Sequence, residues 1–156
     1  MSRLLGVDLG ERRIGLAIAE PGLEPARPLS TLARATNVTG DAARLATVIR
    51  DQRITELVIG LPINADGSEG PMAEAARTWA TAIGGLVGLP VHLRDERLSS
   101  HLAEDRLGPM PRGRSGGAPT RMQRERYRAQ VDRAAAAIIL QDELDARASS
   151  LAGDLA

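Results

Sequence analysis

At 156 residues, 43% of them hydrophobic and 26% charged, the chain has the size and composition of one globular domain and not of a disordered or fibrous polymer. Twenty basic residues, all arginine, balance twenty acidic ones, so the net charge is zero and lysine-based phosphate loops and Schiff-base chemistry are excluded. With no cysteine and two histidines, His92 and His101, disulfides, thiol catalysis and cysteine- or histidine-rich metal sites are excluded too, and any metal chemistry must run on carboxylates. Two aromatic residues, Trp79 and Tyr127, are too few for a single-strand binder built on stacked rings, and the core is expected to be aliphatic. No apolar run reaches the ~20 residues that span a bilayer, and residues 1–20 lack a signal pattern. A cytoplasmic protein with no membrane partner is expected.

The opening RLLGVDLG predicts a buried strand, with Leu5, Val7 and Leu9 on one face and Leu4, Gly6 and Asp8 on the other. Gly10-Glu11 turns the chain into RIGLAIAE, where Ile14, Leu16 and Ile18 oppose the small residues Gly15, Ala17 and Ala19. The two segments predict an antiparallel hairpin. Pro21, Pro25 and Pro28 bend the chain before a third strand over 29–33. Val38, Ala42, Leu45, Ala46 and Ile49 recur at helical spacing and predict a helix over about 39–52.

A short apolar strand, ELVIGLP, follows from Glu56 and ends at Pro62 and the polar loop NADGSEG. Pro71 suits the first turn of a helix running to about Val87. A strand over 90–94 and a short helix over 98–107 come next, with His92 expected to be structural and Trp79 to be core. Residues 108–120 hold four glycines and three prolines and predict a mobile loop that does not pack. A last helix over about 125–146 is apolar through Val131, Ala135, Ile138, Ile139 and Leu144, and the tail SSLAGDLA is expected to fray. The order β-β-β-α-β-α-β-α-α predicts a mixed sheet with helices on both faces, in one domain over 1–147 with 148–156 as tail.

Three groups of carboxylates could carry chemistry. Asp8 lies inside an apolar strand, where a carboxylate costs several kcal/mol unless paired, hydrogen-bonded or metal-bound. Asp95-Glu96 follows the fifth strand, and alternation lets only one of the two join Asp8. The bland reading has Asp95 capping the next helix and Glu96 paired with Arg94 or Arg97. Asp132 stands in the last helix, where an ion pair with Arg128 one turn earlier is the plain alternative. Taken together, acids from a first strand, a later strand end and a final helix can hold two divalent cations about 4 Å apart. Beside them, residues 112–133 carry seven arginines against Glu125 and Asp132, a local charge of +5. Within that segment Arg112, Arg114, Arg121 and Arg124 are candidates for contacts to a nucleic-acid backbone, which neutralise charge without reading bases.

The blocks GVDLGERRIGLAI, VIGLPINADGSEGP, DERLSS and VDRAAAAIILQDELD occur in this order over about 4–144. Together they resemble the YqgF family, also called RuvX-like, whose members are described as Holliday junction resolvases or pre-16S rRNA nucleases. The resemblance implies an RNase H-like fold, α/β, with a five-stranded mixed sheet whose first three strands are antiparallel. It implies Asp8, Glu96 and Asp132 as catalytic acids and metal ligands, and a metal-dependent phosphodiester hydrolysis in which Mg²⁺ or Mn²⁺ activates water and stabilises the leaving oxygen. Related resolvases often carry a fourth acid one helical turn beyond the last; here that position is Ala135. Asn64 and Ser68 could orient the scissile phosphate or only build their turn. The resemblance favours RNA, in processing of precursor 16S rRNA, over branched DNA cut by a junction resolvase, and leaves the oligomeric state open. Two readings from other classes stand beside it: an actin-like nucleotide-binding module, suggested by DLGERRIG, and a non-catalytic RNA-binding assembly factor.

Overall fold

Alternating aliphatic residues set the strands and their two faces. The computed structural model describes residues 2–22, 25–96 and 99–155. Its elements are β1 (Leu4–Leu9), β2 (Arg13–Ala19), β3 (Arg27–Ala33), α1 (Val38–Gln52), β4 (Glu56–Leu61), α2 (Pro71–Val87), β5 (Val91–Asp95), α3 (Ser99–Leu107) and α4 (Arg121–Leu155). The strands form one sheet in the order β3-β2-β1-β4-β5. The first three are mutually antiparallel, whereas β4 and β5 run parallel to β1.

The sheet has a bulky face and a slim one. Leu5, Val7, Ile14, Leu16, Ile18, Leu57 and Ile59 are buried together with Leu45, Trp79 and Ile83 of α1 and α2. Each such side chain contributes roughly 1.5–3 kcal/mol of burial, so this layer holds the fold. The other face presents Gly6, Ala17, Ala19 and Val58, and Ala136, Ile139 and Leu140 of α4 lie directly on it. Small residues there let the helix axis come close, and a Cβ at Gly6 would lie 2.7 Å from the carbonyl oxygen of Ala136. Ala103 of α3 packs outside α4 against Val131, Ala135 and Ile138.

Polar groups inside the bulky layer are paired. Asp41, fully buried, accepts bonds from Arg34 Nε (3.1 Å), the Ala35 amide (2.7 Å) and Trp79 Nε1 (3.0 Å). Trp79 is therefore core, 6% exposed, with its one donor satisfied. His92 is not interior: it is half-exposed, with Nε2 3.2 Å from Glu56.

Three segments differ from the sequence expectation. The third strand begins at Arg27, because a register shift opposite Leu16 and Ala17 lets Pro28 sit in an edge strand. Leu98, the expected start of the short helix, lies outside the described residues. The 108–120 segment is tied down: Arg114–Gly116 make a 3₁₀ turn, Gln123 Nε2 donates to the Arg112 carbonyl (2.8 Å), and Tyr127 Oη donates to the Gly108 carbonyl (2.8 Å).

The last helix starts earlier and continues to Leu155, roughly 52 Å of helix at 1.5 Å per residue. At its far end Arg147 bridges Glu143 (2.7 Å) and Glu56 (2.9 Å), so residues beyond 146 extend a helix already anchored to the sheet. At its near end Thr120 and Gln123 form a reciprocal capping box, Gln123 N donating to Thr120 Oγ1 (3.1 Å) and Thr120 N to Gln123 Oε1 (2.8 Å). Thr120→Ala is expected to lower stability by about 1 kcal/mol in urea unfolding, with Thr120→Ser close to the parent. Equal midpoints for all three proteins would contradict the cap.

Candidate active site

Asp8 is the last residue but one of β1, on the slim face, and only 7% exposed. Its strand neighbours explain how a carboxylate fits there. Asp8 pairs with Gly15 of β2, and one step beyond the Val7–Ile59 pair it comes beside Gly60 of β4. A glycine thus flanks the aspartate on each side, and each vacated space is filled from above by part of another acid. A Cβ at Gly15 would lie 2.1 Å from the carbonyl oxygen of Asp132, and a Cβ at Gly60 would lie 2.6 Å from Glu96 Oε2. Three acids are brought side by side over β2, β1 and β4.

Glu96 follows β5 immediately. Its amide donates to the Leu61 carbonyl (3.1 Å), and its own carbonyl accepts from Ser99 N and Ser99 Oγ (both 3.0 Å). Held at both ends of the backbone, its side chain turns in and hydrogen-bonds Asp8. Asp95, opposite Leu61 in the register, is exposed, so of the adjacent pair it is Glu96 that meets Asp8. The possible pair between Glu96 and Arg97 lies outside the described residues.

Two carboxyls in contact, away from solvent, cannot both ionise. Burial pushes Glu96 up to about 10, with the charges of Asp8 and Asp95 and the bond to Asp8 adding to it. Burial also pushes Asp8 up to about 6, the bond from Glu96 opposing and the charge of Asp132 reinforcing the shift. At neutral pH the pair shares one proton, held mainly on Glu96.

Asp132 is near enough to act on Asp8 by charge, but its carboxylate is turned to Arg13, whose Nε donates to Oδ2 at 2.8 Å. Arg13 takes the place the sequence offered to Arg128. No group of three acids closes around one point among the described residues. Ala135, at the position of a possible fourth acid, is fully buried against Ala103 of α3 and so faces a packed helix contact.

The surroundings divide into two sides. Beyond Glu96 a cleft of about 450 Å³ is lined by Ala65, Asp95, Ser99, Leu102, Ile138 and Asp142. Around Asp132 two clefts, about 360 and 490 Å³, both include Arg13 and Arg128. Asn64 and Ser68 bond each other, Nδ2 to Oγ at 3.1 Å, and Ser68 also bonds Asp66, so both build the turn beside Ala65. Arg112, Arg114, Arg121 and Arg124 are exposed on the segment leading into α4; Arg112 caps the Gly116 carbonyl (3.2 Å), Arg124 the Pro119 carbonyl (2.8 Å), and Arg121 pairs with Glu125. His101 is exposed, 3.6 Å from Asp105 on its own helix, and apart from the acids.

The strand order, the antiparallel first three strands and the helix laid across the slim face define an RNase H-like protein. RuvC from Thermus thermophilus shares this fold: one structure gives a TM-score of 0.51 at 17% identity, covering 94% of this chain and 96% of that one. A second, in complex with Holliday junction substrate, gives 0.55 at 18% identity, covering 96% and 97%. Residues 2–146 match the family described as "RuvX: Holliday junction resolvase", and the chain belongs to that family. A relative from Anaeromyxobacter dehalogenans strain 2CP-1 is 49% identical over 146 residues, 94% of this chain and 98% of its own length. One from Myxococcus xanthus is 40% identical over 144 residues, 92% and 88%. Both are described as "Putative pre-16S rRNA nuclease".

Proposed function

We propose that the chain is a nuclease that hydrolyses phosphodiester bonds, with RNA as its substrate and the processing of precursor 16S rRNA as its role. The observation that carries this is the row Gly15–Asp8–Gly60, which seats Asp132 and Glu96 on either side of a buried aspartate. The alignment with relatives bearing the nuclease description over nearly the whole chain supports it.

The donor set suits a hard divalent cation. Asp8 and Glu96 offer oxygen only, face each other out of water, and accommodate their charge at present with a single proton, which a cation would replace. Asp8, Glu96 and Asp132 would hold Mg²⁺ or Mn²⁺. Such an ion, when bound, activates water and stabilises the charge that develops on the leaving oxygen.

The chain's own groups do the rest. β1 fixes Asp8 rigidly, the Leu61–Glu96 and Ser99–Glu96 bonds fix the second acid, and Gly15 sets the depth of Asp132. Exposed arginines at 112, 114, 121 and 124 attract the phosphate backbone along the entry to α4. The turn at Asn64–Ser68 borders the Glu96 side of the path.

The test is a cleavage assay offering precursor rRNA, unstructured RNA and a four-way DNA junction side by side, with Mg²⁺, Mn²⁺ or EDTA. Precursor rRNA is expected to be cut with either ion and not with EDTA, and Asp8→Asn is expected to be folded and inactive. Cleavage of the junction alone would transfer the activity to branched DNA. Equal cleavage by Asp8→Asn would remove the acids from the reaction.

A further inference from the structure

We propose that the cleft between the β1–β2 turn and the first half of α4 grips the phosphates of the bound strand, and that Arg13 is handed from Asp132 to a phosphodiester when the strand binds. The inference rests on the nuclease reading and names the part of the site that senses substrate.

Arg13 stands where two clefts meet. The larger extends along Gly10, Glu11 and Arg12, and the smaller passes Tyr127 and Met110. Arg13, Arg128 and Asp132 line both. Glu11 lies in one cleft and Glu104 in the other, and Arg12 adds a cation to the larger; Arg13 and Arg128 are the cations shared by both. Arg128 is exposed and has no ion-pair partner among the described residues. Arg13 spends one donor, Nε, on Asp132 at 2.8 Å, and its other guanidinium donors make no bond among the described residues. Its side chain is about a quarter exposed toward this space.

The pair at Arg13 has a consequence for the third acid. A guanidinium against Asp132 competes with any cation for that carboxylate, since the two positive charges would share one anion at close range. A phosphodiester offers Arg13 a matched partner, because the planar fork bonds two phosphate oxygens at once. Binding of the strand therefore frees Asp132 toward the other acids, and strand and divalent cation reinforce each other. Coupling of this kind is reciprocal.

Arg13→Ala should then move two affinities in opposite directions. Labelled single-stranded RNA and a labelled four-way DNA junction are titrated with Ca²⁺ in place of Mg²⁺, at several salt concentrations. Loss of one charge-assisted phosphate contact is expected to weaken binding about tenfold. The slope of log K against log salt should fall by about 0.7 for RNA or 0.9 for duplex arms, and the probe whose slope falls by its full expected value identifies the strand. Mn²⁺ titrated calorimetrically into the protein alone should bind several-fold more tightly to Arg13→Ala, because Asp132 has lost its competitor. Arg13→Gln gives the same readouts if the alanine variant unfolds, and Arg13→Lys, which keeps the charge but not the fork, should keep the parent's salt slope and recover only part of the affinity. A pair that merely staples β2 to α4 would lower thermal stability and leave the salt slope and the Mn²⁺ affinity alone. An unchanged slope, or weaker Mn²⁺ binding, overturns the proposal. If the parent binds neither probe, the nuclease reading fails as a whole; if it binds and the variants match it, only the role of Arg13 fails.

Discussion

Glu96→Gln is expected to abolish cleavage and, in the absence of metal, to make the protein more stable. Glu96 is raised far above its ordinary value by burial and by Asp8, so the folded chain keeps a proton that the unfolded chain releases. A group protonated in the native state and ionised in the unfolded one stabilises fully only below the unfolded value. Its contribution is lost as pH rises, through the whole interval between the ordinary carboxylate value and the raised one. At pH 7 the carboxyl therefore costs stability, and an amide that still donates to Asp8 does not. The gain should be on the order of 2 kcal/mol by urea unfolding in EDTA at pH 7, and near zero at pH 4. Excess Mg²⁺ should stabilise the parent, more so at pH 8 than at pH 6 because binding displaces the shared proton, and leave the variant unmoved. Asp95→Asn, at an exposed position, should keep its activity. A Glu96→Gln protein less stable than the parent at pH 7 would mean that the carboxyl is not strained in the free protein.

Gly15→Ala should be the most damaging substitution that touches no acid. The added carbon would lie 2.1 Å from the carbonyl oxygen and 2.3 Å from the carbonyl carbon of Asp132. Both are backbone atoms, so no rotamer change relieves the clash and α4 itself must lift from β2. Overpacking of this kind costs about 3 kcal/mol. It also moves Asp132 away from Asp8, so cleavage should fall even in the fraction that stays folded. Gly85, exposed inside α2 with nothing near its missing side chain, is the control: Gly85→Ala should raise stability by roughly 0.5–1 kcal/mol. Two melting curves decide it, and a Gly15→Ala curve overlying the parent's would show that α4 is free to shift.

Periodicity made much of this fold legible because both periods are local. The alternation in LLGVDL and RIGLAIA assigns bulky residues to one face and Gly6, Asp8 and Gly15 to the other, which is the division the structure has. Pro71 at the start of α2 was equally plain. Alternation also required that only one of Asp95 and Glu96 reach Asp8, though it left open which one. The partner of Asp132 was not legible, since Arg13 lies 119 positions away and only the close approach allowed by Gly15 brings them together, whereas Arg128 was the obvious neighbour on the helix. The start of α4 could have been read: Thr120 and Gln123 have the spacing of a capping box, hidden by the glycines and prolines just before them. Its far end depends on Arg147 reaching Glu56 across 91 positions, which no local pattern records.

The order of elements along the chain imposes a timetable on activity. α4 supplies Asp132 and covers the slim face of a sheet whose five strands all precede it. A chain emerging from the ribosome, N-terminus first, can build the β1–β2 hairpin and set α1 and α2 on the bulky face while the opposite side still lacks its helix. Asp8 and Glu96 then exist without their third partner. On the proposed reading, unfinished copies are inert as nucleases, and the segment that completes the sheet's cover also switches on their chemistry.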